Sequence, residues 1–351
     1  MEHEIFVSQL IKWYRHNGRD LPWRNTHDPY KIWLSEIILQ QTRIVQGLPY
    51  YEKFIEAYPT VYDLANAREQ EILRLWQGLG YYSRARNLHT CARQVVNDYG
   101  GDFPQTYPEL LKLKGIGKYT ASAIASFAFG ENKAVVDGNV FRVLSRVFGI
   151  EDDIADTKTF KVFESLADEI VKEGNAADFN QGIMDFGAIQ CTPKSPSCGL
   201  CPFSQTCIAY NTGRQHKLPV KSKKVKVRER HFAYLVFDFK GELLMKERGS
   251  KDVWQGLNDF PLIETKNAAN EEDILSEIEA KGLIHLETSV AYKHVLTHQR
   301  IFARFYRFRV NDSANFVQLQ NVHGAQPYSE EQIDELPKPI LIENYWKEEI
   351  L

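Results

Sequence analysis

Four cysteines near the middle of the chain have a spacing typical of a metal site. They follow the pattern C-x6-C-x2-C-x5-C and are Cys191, Cys198, Cys201 and Cys207. Because the N-terminus lacks a secretory signal pattern, a disulfide framework is the weaker interpretation. Zinc sites usually combine two C-x2-C units, and only the central pair has that spacing. Uneven spacing suits a cluster held by four thiolates, so the residues favour one [4Fe–4S] cluster per chain, with zinc and free thiols as alternatives.

Glu36 is the first of two carboxylates whose sequence environment suits acid–base chemistry. At helical spacing, its side chain shares a face with Ile32, Trp33 and Leu39. Apolar surroundings raise the pKa of a carboxyl group and keep it protonated to higher pH, which suits a general acid. The spacing alone equally allows a structural glutamate that pairs with a buried arginine or caps a helix.

Asp137 is the second of these carboxylates. In the string AVVDGNV it follows a short apolar run and precedes a strongly periodic stretch over 140–148. Asp and Asn before a helix are common N-cap residues, so the residues alone favour a capping role. Because a helix N-terminus stabilises negative charge, the sequence also predicts that Asp137 stays ionised.

Three segments of the chain resemble MutY-type adenine DNA glycosylases of the endonuclease III superfamily. They are the string NQGIMDFGAIQCTP that leads into the cysteine loop, the string LSEIILQQT at 34–42 and the string VDGNV at 136–140. The resemblance extends over roughly residues 5–309. It implies a DNA glycosylase whose cysteine loop, 191–207, holds a [4Fe–4S] cluster.

Removing a base from its sugar makes the same chemical demands as glycoside hydrolysis. One acid protonates the leaving group, and one carboxylate stabilises an oxocarbenium-like sugar. The resemblance implies that Glu36 protonates the adenine and that Asp137 faces the cation at C1′. It further implies that Asn139 orients the site and that Tyr119 assists on the nucleophile side.

The string LLKLKGIGKYTA at 110–121 predicts a helix, a Gly-x-Gly turn and a second helix. Gly115 and Gly117 allow close approach to a phosphate, and the first N–H groups of the second helix point at that anion. The string resembles a helix–hairpin–helix motif in which Lys114 replaces the usual proline. It implies that Gly115, Gly117 and Lys118 contact the DNA backbone, and an ordinary helical hairpin is the alternative.

The same string predicts that the enzyme does not cut the DNA strand efficiently. Relatives that cut the strand have a Schiff-base lysine two residues after the second glycine, where this chain has Tyr119. Lys118 is adjacent but points about 100° away around the helix. The resemblance therefore implies a monofunctional glycosylase, with weak residual lyase activity of Lys118 left open.

Arg19, Trp23 and Gln181 are assigned to the adenine pocket by resemblance alone. Arg19 and Trp23 match an N-terminal segment that lines this pocket. Gln181 matches a residue that hydrogen-bonds the flipped base, since a glycosylase must extrude its target from the helix.

The unexcised partner base has its own set of candidate residues. Gln41, followed by Thr42, and Leu79 match residues that fill the vacated space, and Tyr81 matches one that stacks on the partner base. Core packing is the alternative for Leu79. The neighbouring Tyr82 is expected in the core.

The string WQGLNDFP at 254–261 resembles a Nudix-type segment, W-x-G-x-x-x-F-P. The Glu-rich box that binds Mg²⁺ in Nudix hydrolases is not present at its spacing in 262–285, so no pyrophosphohydrolase activity is predicted. MutY-type enzymes use such a degenerate domain to recognise 8-oxoguanine. The string HVLTH at 294–298 resembles their F-S-H loop, with Leu296 in place of Phe. Thr297 and His298 are therefore candidate lesion-binding residues, and a strand end with solvated polar residues is the alternative.

Periodicity divides the chain into two kinds of domain. Helical spacing over 5–13, 32–38, 72–76, 124–129 and 140–148 predicts an all-helical domain over 1–208. The Lys-rich stretch 209–230 is predicted to be a basic linker. Beyond it, strands over 232–239, 242–246 and 302–310 and a helix over 274–281 predict a Nudix-like α/β sandwich over 231–351. The fold class is thus multi-domain, α followed by α+β.

Composition limits the remaining choices. The 351 residues are 43% apolar, enough for two cores, and Cys91 is expected to be buried. No apolar run approaches the ~20 residues that span a bilayer, which predicts a soluble protein of the bacterial cytoplasm, associated with the nucleoid. The net charge of −3 requires that any DNA-binding charge be local, and the stretch 214–230 is either part of that surface or a solvated linker.

These features predict a monomeric enzyme that acts on double-stranded DNA with 8-oxoguanine:A or G:A mispairs. Two alternatives remain, an enzyme of the same superfamily with another substrate and a protein without catalytic activity. A thymine or oxidised-pyrimidine glycosylase would share the cluster and the hairpin but would not need a lesion-reading domain. A non-catalytic damage-binding or redox-sensing protein would not depend on Glu36.

Overall fold

Apolar residues at three- and four-residue spacing form the helices that the sequence predicts up to residue 208. The computed structural model describes residues 1–222, 227–250, 252–267, 271–279 and 283–350. The helices in this part are α1 (His3–Asn17), α2 (Pro29–Leu39), α3 (Ile44–Ala57), α4 (Val61–Asn66), α5 (Glu69–Leu75), α6 (Ser83–Tyr99), α7 (Tyr107–Leu110), α8 (Lys118–Phe129), α9 (Gly138–Phe148), α10 (Thr157–Ile170), α11 (Ala176–Ile189) and α12 (Ile208–Asn211). Single 3₁₀ turns occur at Pro22–Arg24, Val171–Glu173 and Cys198–Leu200.

The chain forms two units. The first contains Met1–Asn66 and Asn87–Lys223, and the second contains Ala67–Arg86 and Lys224–Leu351. The segment Ala67–Arg86 thus belongs to the second unit, although it lies within the range 1–208 that the sequence assigns to the helical domain. Residues 223–226 of the predicted linker lie outside the described residues.

The core of the first unit fixes the helices that carry the candidate site. Helices α1, α9, α10 and α11 enclose fully buried side chains such as Phe6, Val143, Phe163 and Ile183. The cysteine loop packs on the same core, because Cys207 is part of it and Cys191 and Cys201 contact its edge. Cys91 is buried, as predicted.

The helix predicted before the Gly-x-Gly turn is present but ends earlier than the string 110–121 indicates. Helix α7 ends at Leu110, and the next residues continue with bonds to the third residue back, from Lys112 N to Glu109 O at 3.0 Å and from Leu113 N to Leu110 O at 3.2 Å. Leu110 and Leu113 are both buried. Because a 3₁₀-type turn also brings residues i and i+3 together, apolar spacing did not distinguish it from an α-helix.

The second unit is built on a mixed sheet. Its strands are β1 (Arg228–Phe239), β2 (Glu242–Glu247), β3 (Asn258–Asp259), β4 (Leu262–Thr265), β5 (Ile284–Thr288), β6 (Tyr292–Val295), β7 (Gln299–Arg309) and β8 (Gln326–Tyr328). Its remaining helices are α13 (Glu271–Glu279), α14 (Ser313–His323), α15 (Glu330–Glu335) and α16 (Ile340–Tyr345), with a π-helical turn at Trp346–Ile350.

The sheet has the order β3-β2-β1-β7-β5. Strand β1 pairs in parallel with β7 from Arg228↔Gln299 to Asp238↔Arg309, and it pairs antiparallel with β2 and β4 on its other edge. Strand β6 pairs antiparallel with β7. This register places the short turn between β6 and β7 beside the start of β1.

The predicted hairpin is confirmed. Lys240 and Gly241 have φ of 55° and 86°, which is the conformation of a type I′ turn between β1 and β2. The predicted strand over 302–310 is the larger part of β7, and the predicted helix over 274–281 corresponds to α13, although 280 and 281 lie outside the described residues. None of the described helices is long and apolar enough to span a lipid bilayer.

Candidate active site

A cavity of about 400 Å³ in the first unit brings the predicted catalytic residues together. Its walls come from α2, α8, α9 and α11 and from the loop before α2. The four predicted catalytic side chains that line it are Glu36, Asp137, Tyr119 and Asn139. It is also lined by Arg19, Trp23, Thr42 and Gln181.

Glu36 lies in the second half of α2. The helix starts with Pro29 and is capped by Asp28, whose carboxylate accepts a hydrogen bond from the Tyr30 N–H at 2.9 Å. The Glu36 side chain is buried. Burial raises its pKa to about 7, although Tyr119 and Arg24 lower it. The raised pKa predicted from the apolar face of the helix is therefore present.

Asp137 both caps a helix and lines the cavity. Its Oδ1 accepts hydrogen bonds from the N–H groups of Asn139 and Val140 at 2.8 Å each, which fixes the start of α9. Its Oδ2 accepts a bond from Asn139 Nδ2 at 2.8 Å. Burial nevertheless raises the pKa of Asp137, and the hydrogen bonds and Arg142 lower it less than burial raises it. The helix N-terminus stabilises the carboxylate as predicted, but it does not hold the pKa down.

Tyr119 and Lys118 are neighbours in sequence and face different surroundings. The Tyr119 hydroxyl reaches the cavity and donates to Met184 Sδ at 3.4 Å. Burial and the nearby carboxyl groups of Glu36 and Asp137 raise its pKa. Lys118 Nζ instead lies 3.0 Å from a carboxylate oxygen of Glu164 and 4.7 Å from the centre of the Phe160 ring.

One wall of the cavity contains an ion-pair network that the sequence did not reveal. Arg24 donates from Nη1 to Asp185 Oδ2 at 2.6 Å and from Nη2 to Oδ1 at 2.8 Å. Arg19 donates to the same carboxylate from its backbone N at 3.0 Å and from Nε at 2.9 Å. The sequence signal that could have indicated this network was Asp185, a carboxylate within the apolar helix α11. No pattern identified its partner Arg24, which is 161 residues away in the chain.

Gln181 and Trp23 are held in place by other residues of the first unit. The Tyr14 hydroxyl donates to Gln181 Oε1 at 2.5 Å. The Trp23 ring makes an edge contact with Tyr51 at 5.0 Å between centroids. Both side chains are therefore oriented by contacts with neighbouring residues.

Gln41 and Thr42 follow α2 and differ in exposure. Thr42 lines the cavity, whereas Gln41 is exposed and has a left-handed backbone with φ of 59°. A non-glycine residue rarely adopts this conformation. The left-handed turn at the end of α2 therefore leaves Gln41 exposed to solvent.

The two glycines of the hairpin differ in backbone conformation and in the space around them. Gly115 has φ of 77°, and a Cβ there would lie 2.7 Å from Asn87 Cβ. Gly117 is the N-cap of α8 with φ of −93°, and a Cβ there would meet none of the described atoms within 4 Å. Gly115 is thus required by the fold, whereas Gly117 leaves an open surface in front of the helix N-terminus.

In the second unit, a separate cavity of about 310 Å³ brings two of the partner-base candidates together with the two lesion-binding candidates. It is lined by Leu79 and Tyr81 from the segment Ala67–Arg86 and by Thr297 and His298. Thr297 and His298 form the two-residue turn between β6 and β7, closed by a bond from Leu296 N to Gln299 O at 2.8 Å. The Tyr81 and Thr297 hydroxyls are hydrogen-bonded.

Tyr81 is presented to solvent by a strained turn. It has φ of 51°, and 45% of its surface is exposed. The Arg84 guanidinium lies 5.6 Å from its ring centre. Leu79 is buried, and Tyr82 is buried as predicted.

The four cysteines line one small cavity of about 20 Å³. Arg146 is buried and reaches the loop from α9: its Nη1 lies 3.4 Å from Cys191 Sγ and donates to the Thr192 carbonyl at 2.8 Å. The Phe203 N–H lies 3.4 Å from Cys201 Sγ. Among the described residues, no group of three or more His, Cys, Asp or Glu side chains is arranged to hold a single metal ion.

The donor chemistry of this loop suits a metal centre, because it brings four thiol groups to one place. The N–H groups of Arg146 and Phe203 that point at sulfur would stabilise thiolate charge, as outer-shell donors do at metal sites.

The geometry of the main cavity suits cleavage of a glycosidic bond. A buried carboxyl with a pKa near neutrality can give a proton to a leaving group, and a second carboxyl in the same cavity can stabilise a cationic sugar. Glu36 and Asp137 meet this requirement.

Two protein-family models match this chain, one in its helical part and one in its C-terminal part. The model described as HhH-GPD superfamily base excision DNA repair protein matches residues 34–169, and the NUDIX domain model matches residues 232–348. Among solved structures, a thermostable thymine-DNA glycosylase is 37% identical with a TM-score of 0.56, covering 60% of this chain and 97% of that one. A complex of endonuclease III with DNA shares the fold, at 23% identity and a TM-score of 0.51, covering 61% of this chain and 98% of that one.

Several curated relatives are described as adenine DNA glycosylases. An adenine DNA glycosylase of Buchnera aphidicola subsp. Schizaphis graminum is 38% identical over 263 residues, which are 75% of this chain and 76% of the relative. The adenine DNA glycosylase of Homo sapiens is 42% identical over 226 residues, which are 62% of this chain and 41% of the relative. The chain therefore belongs to the adenine DNA glycosylases, base-excision repair enzymes that remove adenine from DNA.

Proposed function

We propose that this enzyme removes adenine paired with 8-oxoguanine or guanine in double-stranded DNA, by hydrolysis of the N-glycosidic bond and without cutting the strand. The proposal rests on the presence of two carboxyl groups, Glu36 and Asp137, in one cavity. Glu36 is buried and has a pKa raised to about 7, and Asp137 lines the same cavity of about 400 Å³. The volume is in the range of pockets that enclose small ligands.

In this proposal Glu36 is the general acid. With a pKa near 7, about half of the Glu36 side chains hold a proton at neutral pH. The proton passes to a ring nitrogen of the flipped adenine, which makes the base a better leaving group. Arg19, Trp23 and Gln181 bind the base so that this ring nitrogen faces Glu36.

Asp137 acts on the sugar side of the bond. Its carboxylate faces the cation that develops at C1′ and either stabilises it or traps it transiently. Asn139 keeps the carboxylate in place through its hydrogen bond to Oδ2 at 2.8 Å. Water then completes the hydrolysis, with Tyr119 beside the two carboxyl groups.

The absence of strand cutting follows from the residues at the start of α8. Tyr119 is at the position of the Schiff-base lysine in strand-cutting relatives, and a phenol cannot form that intermediate. The ammonium of Lys118 pairs with Glu164 at 3.0 Å. Lys118 is therefore assigned to the DNA backbone together with Gly115 and Gly117, whose turn leaves the α8 N-terminus open for a phosphate.

The second unit is assigned to the partner base. Tyr81 would stack on that base, Leu79 would occupy the space that the adenine leaves, and Thr297 with His298 would recognise the oxidised guanine. Gln41 belongs to the first unit and keeps its role in filling the vacated space by resemblance alone. The Thr297 hydroxyl can donate and accept hydrogen bonds. Leu296 replaces the aromatic residue of the family loop, so stacking from this turn is weaker than in relatives with Phe.

Cys191, Cys198, Cys201 and Cys207 would hold one [4Fe–4S] cluster. When bound, the cluster would cross-link the loop and so support its structure. Arg142 and Arg146 on α9 are close enough to offset the charge of the thiolates.

A single-turnover assay tests the proposal. Duplexes with 8-oxoguanine:A, G:A and T:G pairs are incubated with a monomeric enzyme preparation, and each sample is split for hot alkali before electrophoresis. We expect adenine release that appears as a strand break only after alkali, and Glu36→Gln should lose at least 100-fold in rate, since a general acid contributes about that much. Breaks without alkali would reassign Lys118 as a lyase nucleophile.

A thymine glycosylase is the second candidate, because a thymine-DNA glycosylase is 37% identical over its matched part. Cleavage of T:G duplexes without adenine release would establish it.

A double variant tests lesion recognition by the second unit. Thr297→Ala together with His298→Ala should narrow the preference for 8-oxoguanine:A over G:A. An unchanged preference would place lesion recognition elsewhere.

The cluster is tested by metal analysis of the purified protein. We expect the protein to be brown and to contain four irons per chain, with matching sulfide. One stoichiometric zinc would exclude the cluster.

A further inference from the structure

Asp185 is a fully buried carboxylate next to the cavity, and the mechanism proposed above gives it no role. It lies on α11 with an exposure of 0%. Its two oxygens accept hydrogen bonds from Arg24 at 2.6 and 2.8 Å and from the backbone N and Nε of Arg19 at 3.0 and 2.9 Å. Burial opposes its ionisation, but these bonds hold its pKa below the usual value.

The network contains two guanidinium groups and one carboxylate, so it has one positive charge in excess. Arg24 is also held by the Arg19 carbonyl at 3.1 Å, and only 10% of its side chain is exposed. Solvent therefore screens its charge only weakly. The carboxyl group that pairs with Arg24 is therefore stabilised in its ionised form, whether it is Asp185 or a carboxyl that lines the cavity.

Glu36 is the other carboxyl that feels Arg24. The groups that face Glu36 come from three elements: Tyr119 on α8, Asp137 at the start of α9 and Arg24 before α2. Arg24 and Tyr119 favour the ionised form of Glu36, whereas burial and Asp137 favour the protonated form. Behind Arg24 lie Asp185 and Tyr14, whose ring centre is 5.7 Å from the Arg24 guanidinium.

We propose that Asp185 is a positioning residue for base excision, which holds Arg24 and Arg19 in the cavity wall and thereby keeps Glu36 protonated and able to act as an acid. The inference rests on the proposed role of Glu36. Asp185 competes with Glu36 for the same cation. Its bidentate bond to Arg24 has the geometry in which a guanidinium binds a carboxylate most strongly.

Removing the charge of Asp185 should therefore transfer Arg24 to Glu36. A neutral residue at 185 leaves the mostly buried Arg24 and the partly exposed Arg19 without this counter-ion. Glu36 lines the same cavity and is the other carboxyl whose charge interacts with Arg24, so its ionisation would compensate for the lost charge. Glu36 would then be an ion-paired carboxylate at neutral pH, and the enzyme would lose its acid. The loss should be reversed by lower pH, which a merely structural defect would not be.

The test is the pH dependence of the single-turnover rate on 8-oxoguanine:A duplex. For Asp185→Asn we expect the pH above which the rate falls to move down by about one unit. The rate near pH 7.5 would then be about tenfold lower, because one pKa unit is a tenfold change in the ratio of protonated to ionised acid. Below pH 6 the rate should approach that of the wild type. Asp185→Glu, which retains the charge, is the matched control and should keep the wild-type midpoint.

A second variant guards against a failure of Asp185→Asn to fold. In Asp185→Asn with Arg19→Met, one negative and one positive charge are removed, so the net charge of the cavity is unchanged and Arg24 is still released. The overall rate is expected to fall at every pH because Arg19 lines the pocket, but the midpoint should still move down. A uniform loss with an unmoved midpoint in either variant would overturn the inference.

Glu36→Gln is measured in parallel to separate this inference from the proposed function. If Glu36→Gln is inactive and the Asp185→Asn midpoint is unmoved, the positioning role alone is wrong. If Glu36→Gln excises adenine at the wild-type rate, the acid assignment itself is wrong, and the role of Asp185 is overturned with it.

Discussion

The burial that makes Glu36 a suitable acid also works against folding of the first unit. Burial raises its pKa from 4.5 to about 7. Between these values the folded state binds more protons at Glu36 than the unfolded state does. The contribution of Glu36 to stability is therefore greatest below pH 4.5 and is lost as the pH rises through 7. Above pH 7 the folded protein contains an ionised carboxylate in an apolar site.

Replacing Glu36 with Gln should therefore stabilise the protein at pH 8. A difference of about 2.5 units corresponds to about 3 kcal/mol in the free energy of unfolding, as an order of magnitude. The stabilisation should shrink as the pH falls toward 5, because the wild-type side chain is then neutral as well. Urea denaturation of both proteins at pH 5, 6.5 and 8 measures this. A variant that is less stable than the wild type at pH 8 would contradict the prediction.

The surroundings of individual candidate residues were predictable where a local pattern reported them. Glu36 has apolar neighbours at helical spacing, and Asp137 stands where an apolar run meets a helix, so each residue signals its own environment. Asp185 gives half of such a signal, as a carboxylate within an apolar helix. Its pairing with Arg19 and Arg24 arises only when α11 packs beside the loop before α2, and that contact is set by tertiary packing.

At the scale of elements, the hairpin between α7 and α8 allows a matched pair of substitutions. Gly117→Ala should fold normally, because its backbone is accessible to any residue and a Cβ would meet none of the described atoms within 4 Å. The added methyl group would nevertheless stand before the α8 N-terminus, where a phosphate is expected. We predict at least a tenfold loss of affinity for DNA, about 1.4 kcal/mol, with an unchanged melting temperature.

Gly115→Ala should have the opposite effect on stability. Its positive φ of 77° and the 2.7 Å approach to Asn87 would be strained by any side chain. We expect a loss of about 1–3 kcal/mol in the free energy of unfolding. Fluorescence anisotropy with a product duplex and thermal melts separate the two effects. A Gly117→Ala variant that binds DNA like the wild type would remove the hairpin from the DNA-binding surface.

Elements were predictable where two independent signals agreed. The β1–β2 hairpin combines a Lys-Gly turn with β-prone flanks, and it forms at the predicted residues. The first half of the 110–121 hairpin had only apolar spacing, and it is a chain of tight turns. The parallel pairing of β1 with β7 joins residues about 70 positions apart, as in Arg228↔Gln299, and no local pattern specifies such a partner.

At the scale of the whole molecule, DNA binding must overcome a net charge of −3. The proposed contacts are local: Lys118, the open N-terminus of α8 and basic residues such as Arg214 and Lys217. If about four phosphates are contacted, affinity for a product duplex should fall about 100-fold between 50 and 200 mM salt. Lys118→Ala should reduce the slope of the log–log plot by about one. A slope near zero would contradict an electrostatic interface.

The two units are interlaced along the chain, because the segment Ala67–Arg86 interrupts the first unit and packs in the second. Its contacts there include Arg86 Nη1 to Gln255 O at 2.5 Å and Lys338 N to Gln77 Oε1 at 3.0 Å. In evolutionary terms, the second unit cannot be exchanged as a cassette by one recombination event in the linker. A chimera of two relatives joined after residue 222 would combine this segment with a foreign sheet, so productive hybrids must inherit 67–86 and 227–350 from the same parent.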